Sequence, residues 1–195
     1  MGLFQSKLSE MFNFGGPERR ILLLGLEAAG KTTILYTMKL GDNVPTFQPM
    51  WYNVQEINIP NCNVNFCVWD VGAQDRLRPI RKHFFRNSVG LIFVIDSFDR
   101  ERITEAKDEL HAVLNNPEMS GVPVVVFANK QDLENACSTS ELTSLLKLSD
   151  LKNTGHDWYV QPCVATNGQG LFEGFQEMTK LSRDFMKQSK QEIGY

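Results

Sequence analysis

The stretch Gly25-Leu26-Glu27-Ala28-Ala29-Gly30-Lys31-Thr32 constrains this chain more than any other part of it. It follows the apolar run Ile21–Leu24 and leads into Lys31–Lys39, which reads as a helix. The pattern is G-x-x-x-x-G-K-[ST]. Its glycines let successive backbone N–H groups wrap a phosphate, and the helix behind them aims its positive end at the same point. A glycine turn before a helix, taken alone, gives no reason for Lys and Thr to follow the second glycine. On this reading Glu27, Ala28, Ala29, Gly30, Lys31, Thr32 and Thr33 form the cradle. The Lys31 ammonium reaches the β and γ phosphates, and the Thr32 hydroxyl binds Mg²⁺. The motif selects a nucleotide phosphate chain and is silent on the base.

The rest of the chain suits a sheet built around that junction. Ile21–Leu24, Val54–Ile59, Val64–Trp69, Leu91–Ile95, Val122–Ala128 and Tyr159–Val164 read as strands. Lys31–Lys39, Arg100–Leu114, Ser140–Leu146 and Leu171–Lys187 read as helices. Alternation of this kind predicts an α/β fold with a mostly parallel six-stranded sheet and helices on both faces. The Pro60-Asn61-Cys62-Asn63 linker is too short for a helical crossover, so Val54–Ile59 and Val64–Trp69 should pair as an antiparallel hairpin at one edge. At 195 residues the chain fits one such domain, and Gly15-Gly16-Pro17 marks its start. The expected organisation is an N-terminal segment over 1–17, a nucleotide-binding domain over 18–187 and a tail over 188–195.

Composition narrows the partners. A formal net charge of −3 argues against nucleic acid, and no apolar run is long enough to cross a bilayer. The N-terminus lacks the layout of a secretory signal. Cys62, Cys67, Cys137 and Cys163 have neither C-x-x-C spacing nor a nearby His, so they are expected to be free thiols in a reducing cytosol.

Two further motifs lie at strand ends, where ligands bind in folds of this class. Asp70 follows the strand ending at Trp69 and is placed to hold Mg²⁺ through water; Gln74 follows where an attacking water would be oriented. Val122–Ala128 runs straight into Asn129-Lys130-Gln131-Asp132. The Asp132 carboxylate can accept from guanine N1–H and the 2-amino group, a donor pair that adenine lacks. Asn129 can hold the loop and face N7, the Lys130 stem can lie across the ring, and the Ala165 N–H is expected to meet guanine O6.

The N-terminus carries a separate signal. Met1-Gly2-Leu3-Phe4-Gln5-Ser6 fits M-G-x-x-x-[ST], which marks Gly2 for myristoylation. At helical spacing Leu3, Phe4, Leu8, Met11 and Phe12 share one face, so an acyl chain and an amphipathic helix together make a two-signal membrane anchor. The competing reading is a helix packed permanently on the domain.

With these residues in hand, the chain resembles the ADP-ribosylation factors (Arf), a branch of the Ras superfamily of small GTPases. The matching stretches are Gly25–Leu40, Trp69–Phe85, Gly90–Arg102 and Phe127–Leu133, and the likeness extends over residues 1–187. It implies the Ras-like P-loop fold, GTP/GDP and Mg²⁺ as cofactors, and a monomeric switch in vesicle trafficking. The switch would be cytoplasmic and reversibly attached to Golgi or other endomembranes. Its implied partners are an exchange factor, a GTPase-activating protein, effectors or coat proteins, and a membrane surface.

The resemblance breaks in both switch regions. The family's first switch reads like T-I-P-T-I-G-F-N, and its second Thr binds Mg²⁺ and the γ-phosphate. Here Pro49 stands at that position and offers neither a hydroxyl nor an N–H. In the family's D-V-G-G-Q the second glycine meets the γ-phosphate; here it is Ala73, which keeps the N–H but restricts the backbone. Arg81 also replaces a usual Trp in the apolar effector patch, while Tyr52, Trp69 and Phe84 keep its aromatic character. Three functions therefore stand side by side: a regulatory GTPase, a guanine-nucleotide-binding adaptor with impaired switching, and a P-loop ATPase or kinase. Asn129 to Asp132 argue against the third.

Overall fold

The structure is a computed structural model that describes residues 19–39, 54–58, 64–69 and 85–192. β1 (Arg19–Gly25) is followed by α1 (Lys31–Lys39), β2 (Val54–Asn58), β3 (Val64–Trp69) and β4 (Ser88–Asp96). A 3₁₀ turn, Arg100–Arg102, then opens into α2 (Ile103–Leu114). β5 (Val124–Asn129), α3 (Thr139–Leu145), α4 (Leu148–Asn153), β6 (Trp158–Pro162) and α5 (Leu171–Glu192) complete the chain. The strands form one sheet in the order β2-β3-β1-β4-β5-β6.

β1, β4, β5 and β6 run parallel, and β3 joins them in parallel against β1. β2 pairs antiparallel with β3, Val54 opposite Trp69, as the short linker between them requires. The central stretches Ile21–Leu24, Leu91–Ile95 and Val124–Ala128 are apolar at every position because both faces are covered. On one face Leu22, Leu24, Leu91 and Phe93 pack with Leu110 and Val113 of α2 and Leu142 of α3. On the other, Ile21, Leu23, Ile92 and Phe127 pack with Ile34 of α1 and with Phe175 and Met178 of α5.

Several boundaries differ from those the sequence suggests, each for a local reason. β5 begins at Val124 rather than Val122, because Pro123 has no N–H to give a ladder; its carbonyl still accepts from Leu91 N–H at 2.9 Å. β6 covers Trp158–Pro162 rather than Tyr159–Val164: Val164 turns away to bridge Gln169. Arg100–Arg102 forms a 3₁₀ turn instead of the first turn of α2, its N-terminus capped by Asp99. α4 is absent from the sequence reading altogether. It is short, separated from α3 by Lys147 in the left-handed region (φ 52°), and is held by the buried Leu148 and Leu151. α5 continues past Lys187 to Glu192, through residues that favour helix.

α5 packs closely against the sheet at Gly174. A Cβ there would lie 2.0 Å from Cε1 and 2.6 Å from Cζ of Phe127. That ring is fully buried and stacks edge-on against Phe175, with centroids 5.4 Å apart and planes at 84°. Alanine would gain under about 1 kcal/mol in helix propensity. Overpacking costs about 1–3 kcal/mol, so the steric effect should win. Gly174→Ala is expected to lower the melting temperature measured by circular dichroism; an unchanged or raised midpoint would contradict this packing argument.

Candidate nucleotide-binding site

The phosphate loop turns between β1 and α1 with Ala28 at φ 61° and Gly30 at φ 105°. Gly30 cannot carry a side chain: a Cβ would meet Asn129 Nδ2 at 2.2 Å. The loop folds back on itself through Ala29 N–H to Leu26 O at 3.3 Å, and α1 starts with Ile34 N–H to Gly30 O at 2.9 Å. Lys31 is buried, at 5% exposure, and its ammonium donates to Gly25 O at 2.9 Å and Leu26 O at 2.7 Å. It therefore stays on the loop that the phosphate chain would occupy. Thr32 is exposed at the first turn of α1, and Thr33 is half-buried.

Asn129 joins this loop to the rest of the site. It ends β5 at 2% exposure, and its Nδ2 donates to Ala29 O at 2.8 Å. Its Oδ1 accepts from Ala165 N–H at 2.9 Å. Thr37 of α1 adds a third tie, Oγ1 to Ala165 O at 2.7 Å. Asn129 thus holds the phosphate loop to the loop after β6, as the sequence suggested for it, and its NH2 group carries a second hydrogen for a contact such as N7. The Ala165 N–H meets Asn129 Oδ1.

A cavity of about 260 Å³ opens beside Asn129. Ala28, Gly30 and Thr33 line it from the phosphate loop and α1, Lys130 and Asp132 from the base loop, and Ala165 and Thr166 from the loop after β6. Asp132 is exposed at its edge, where a carboxylate can meet a base. Lys130 holds the left-handed region at φ 66°, and its ammonium pairs with Asp96 at 2.5 Å. The structure thus brings the phosphate motif and the base motif onto one cavity.

The donor set fits a guanine nucleotide. Backbone turns and a helix N-terminus flank the phosphate end, and the only acidic side chain among the described lining residues is at the base end. Thr32, the residue expected to bind Mg²⁺, stands exposed in the first turn of α1, while Asp70, Ala73, Gln74, Pro49 and Gly2 lie outside the described residues. Among the described residues no group of three or more His, Cys, Asp and Glu side chains could hold a metal by itself.

Sequence reasoning missed Thr37, Asp96 and Arg102. Arg102 bonds Asp99 at 2.6 Å and also reaches Glu27 O of the phosphate loop at 3.3 Å. Asp96 follows an apolar run as Asp70 does, a signal that was present but has no motif attached. The contacts of Thr37 with Ala165 O and of Arg102 with Glu27 O carry no local signal, because these partners are distant in the chain.

Cys137 and Cys163 are free and buried; the side chains of Cys62 and Cys67 lie outside the described residues. Burial pushes the Cys163 thiol up to about 12 from an ordinary value of 9.0. Its protonated form thus supports the fold fully below pH 9.0, and that support is lost as pH climbs through about 12. Cys163 should resist alkylation at pH 8 in the folded protein and react once the chain is unfolded, as mass mapping of the modified peptide would report. Equal labelling in both states would contradict its burial.

Asn129→Ala would leave Ala29 O and Ala165 N–H without this partner, at a cost of about 2–4 kcal/mol. The expected outcome is a lower melting temperature together with a loss of GDP affinity by isothermal titration calorimetry. A variant as stable as the wild type would show that this tie carries no load.

A family model described as the ADP-ribosylation factor family matches residues 4–182.

Proposed function

The chain belongs to the ADP-ribosylation factor family, and from that premise we propose that it works as a membrane-recruited GTP/GDP switch in vesicle trafficking. Members of this family are GTPases that bind GTP and GDP with Mg²⁺, and this chain is accordingly a small GTP-binding protein. The observation that carries the reading is the single cavity shared by Gly30 of the phosphate loop and Asp132 of the base loop.

In this proposal the loop N–H groups and Lys31 hold the β and γ phosphates, and Asp132 selects guanine. Thr32 and Asp70 would hold Mg²⁺, which supplies further charge neutralisation on the phosphates. Gln74 orients the water that attacks the γ-phosphate. The reaction needs positioning and electrostatics, with no covalent intermediate on the protein. Partners expected from this role are an exchange factor, a GTPase-activating protein, and effectors or coat proteins. Myristate on Gly2 and the apolar face of the N-terminal segment would attach the protein reversibly to Golgi or other endomembranes.

A second reading rests on Pro49 and Ala73. Both replace residues whose family counterparts touch the γ-phosphate, so the chain would hold guanine nucleotides while responding weakly to the difference between them. Such a protein would be an adaptor with impaired switching. A switch requires contacts that differ between its two states, and these positions supply them in the family.

Single-turnover GTP hydrolysis, with GDP and GTP affinities alongside, separates the two. The switch predicts Mg²⁺-dependent turnover that rises with an activating partner and falls by at least about tenfold in Gln74→Leu. The adaptor predicts no turnover, equal affinities, and a gain of γ-phosphate discrimination in Pro49→Thr. ATP displacing GTP would sink both readings.

A further inference from the structure

The base loop, residues 129–137, closes on a short segment leaving β4 to which the sequence motifs give no role. Asp96 and Asn129 are direct neighbours in the β4–β5 ladder. The next residue, Ser97, pins both ends of the loop: its N–H donates to Asn129 O at 3.0 Å and its carbonyl accepts from Cys137 N–H at 2.7 Å. Between those pins the chain passes through Lys130 at φ 66°. For a side-chain-bearing residue this conformation is strained and needs support from its surroundings.

Asp96 supplies that support. Its Oδ2 takes the Lys130 ammonium at 2.5 Å, and its Oδ1 accepts from Phe98 N–H at 3.0 Å. The carboxylate is 13% exposed and the lysine side chain 33%, so the pair is shielded enough to outlast an open surface contact. Lys130 lines the cavity, whereas Asp96 is not among its lining residues. A long lysine stem left to itself samples many rotamers, and fixing it upon binding costs conformational entropy. Tethered at both ends, the stem is already in place as a cavity wall.

We infer that Asp96 is a positioning residue for the base: it fixes the Lys130 stem as one wall of the nucleotide cavity and touches the nucleotide only through it. The inference rests on the guanine-nucleotide reading of the site. It assigns to the end of β4 a part in retaining the nucleotide, alongside the two motif-bearing loops.

The test uses the full-length protein loaded with a fluorescent GDP analogue, its release followed after a chase with unlabelled GDP. Asp96→Asn keeps the shape and removes the charge, and it is expected to speed release about tenfold. Lys130→Met should do about the same, and the double variant should release no faster than the quicker single one. Asp96→Glu keeps the carboxylate and should recover most of the lost residence time, an outcome that a merely structural role for Asp96 would not produce. Release by Asp96→Asn within about twofold of wild type, or additive effects in the double variant, would overturn the inference and leave guanine binding intact. Wild-type protein that retains no guanine nucleotide would instead overturn the underlying reading, and the inference with it. Should Asp96→Asn fail to fold, Lys130→Met and Asp96→Glu decide the matter in the same assay.

Discussion

Much of the site depends on the side-chain amide of Asn129. It is a buried group with both ends satisfied, Nδ2 on Ala29 O and Oδ1 on Ala165 N–H. Those partners lie 100 and 36 residues away in sequence, so one side chain fixes three loops against each other. An unpaired amide in this position would cost more than the bonds return on average, which makes the arrangement nearly all-or-none. Gly30 adds to this: its missing side chain is what lets the phosphate loop come against the amide.

The sheet makes that convergence possible. Parallel strands release their carboxyl ends on one side, so Gly25, Asp96 and Asn129 emerge together from β1, β4 and β5. Helices on both faces cover the sheet, and the loops between strand and helix become the free surface where ligands are met. Thr37 on α1, Arg102 ahead of α2 and Asp96 on β4 each reinforce a nucleotide loop from behind. Rigidity at such a site reduces the ordering cost of binding, and it leaves the energy of ligand contacts available for affinity.

Retaining a nucleotide and sensing its γ-phosphate are physically separate tasks. In the proposed function, retention would use Lys31, Asp132 and the loops that Asn129 ties together, all at the ends of the sheet strands. Sensing uses contacts made only when the γ-phosphate is present, and these are where Pro49 and Ala73 replace the family's Thr and Gly. Proline at the first position removes two potential bonds at once, whereas alanine at the second preserves the N–H and alters only the freedom to aim it. On that proposal the two residues would bear on the response to the γ-phosphate more than on the hold on the nucleotide.

The sequence by itself determined the fold class and the ligand chemistry. Strand–glycine loop–helix at Gly25 to Thr32 and strand–polar loop at Asn129 to Asp132 are local patterns, and local patterns are legible because their chemistry lies within a few residues. It also carried the antiparallel edge, since a four-residue linker such as Pro60 to Asn63 permits nothing else. It did not carry α4, whose two buried leucines sit in a stretch too short to show a helical period. Only the tertiary structure decided which groups Asn129 ties together, Ala29 O and the Ala165 N–H, and that Asp96 anchors Lys130. Each is a bond between residues at least 34 positions apart. Such bonds depend on strand order and register, which bring those atoms within reach only after the sheet has formed.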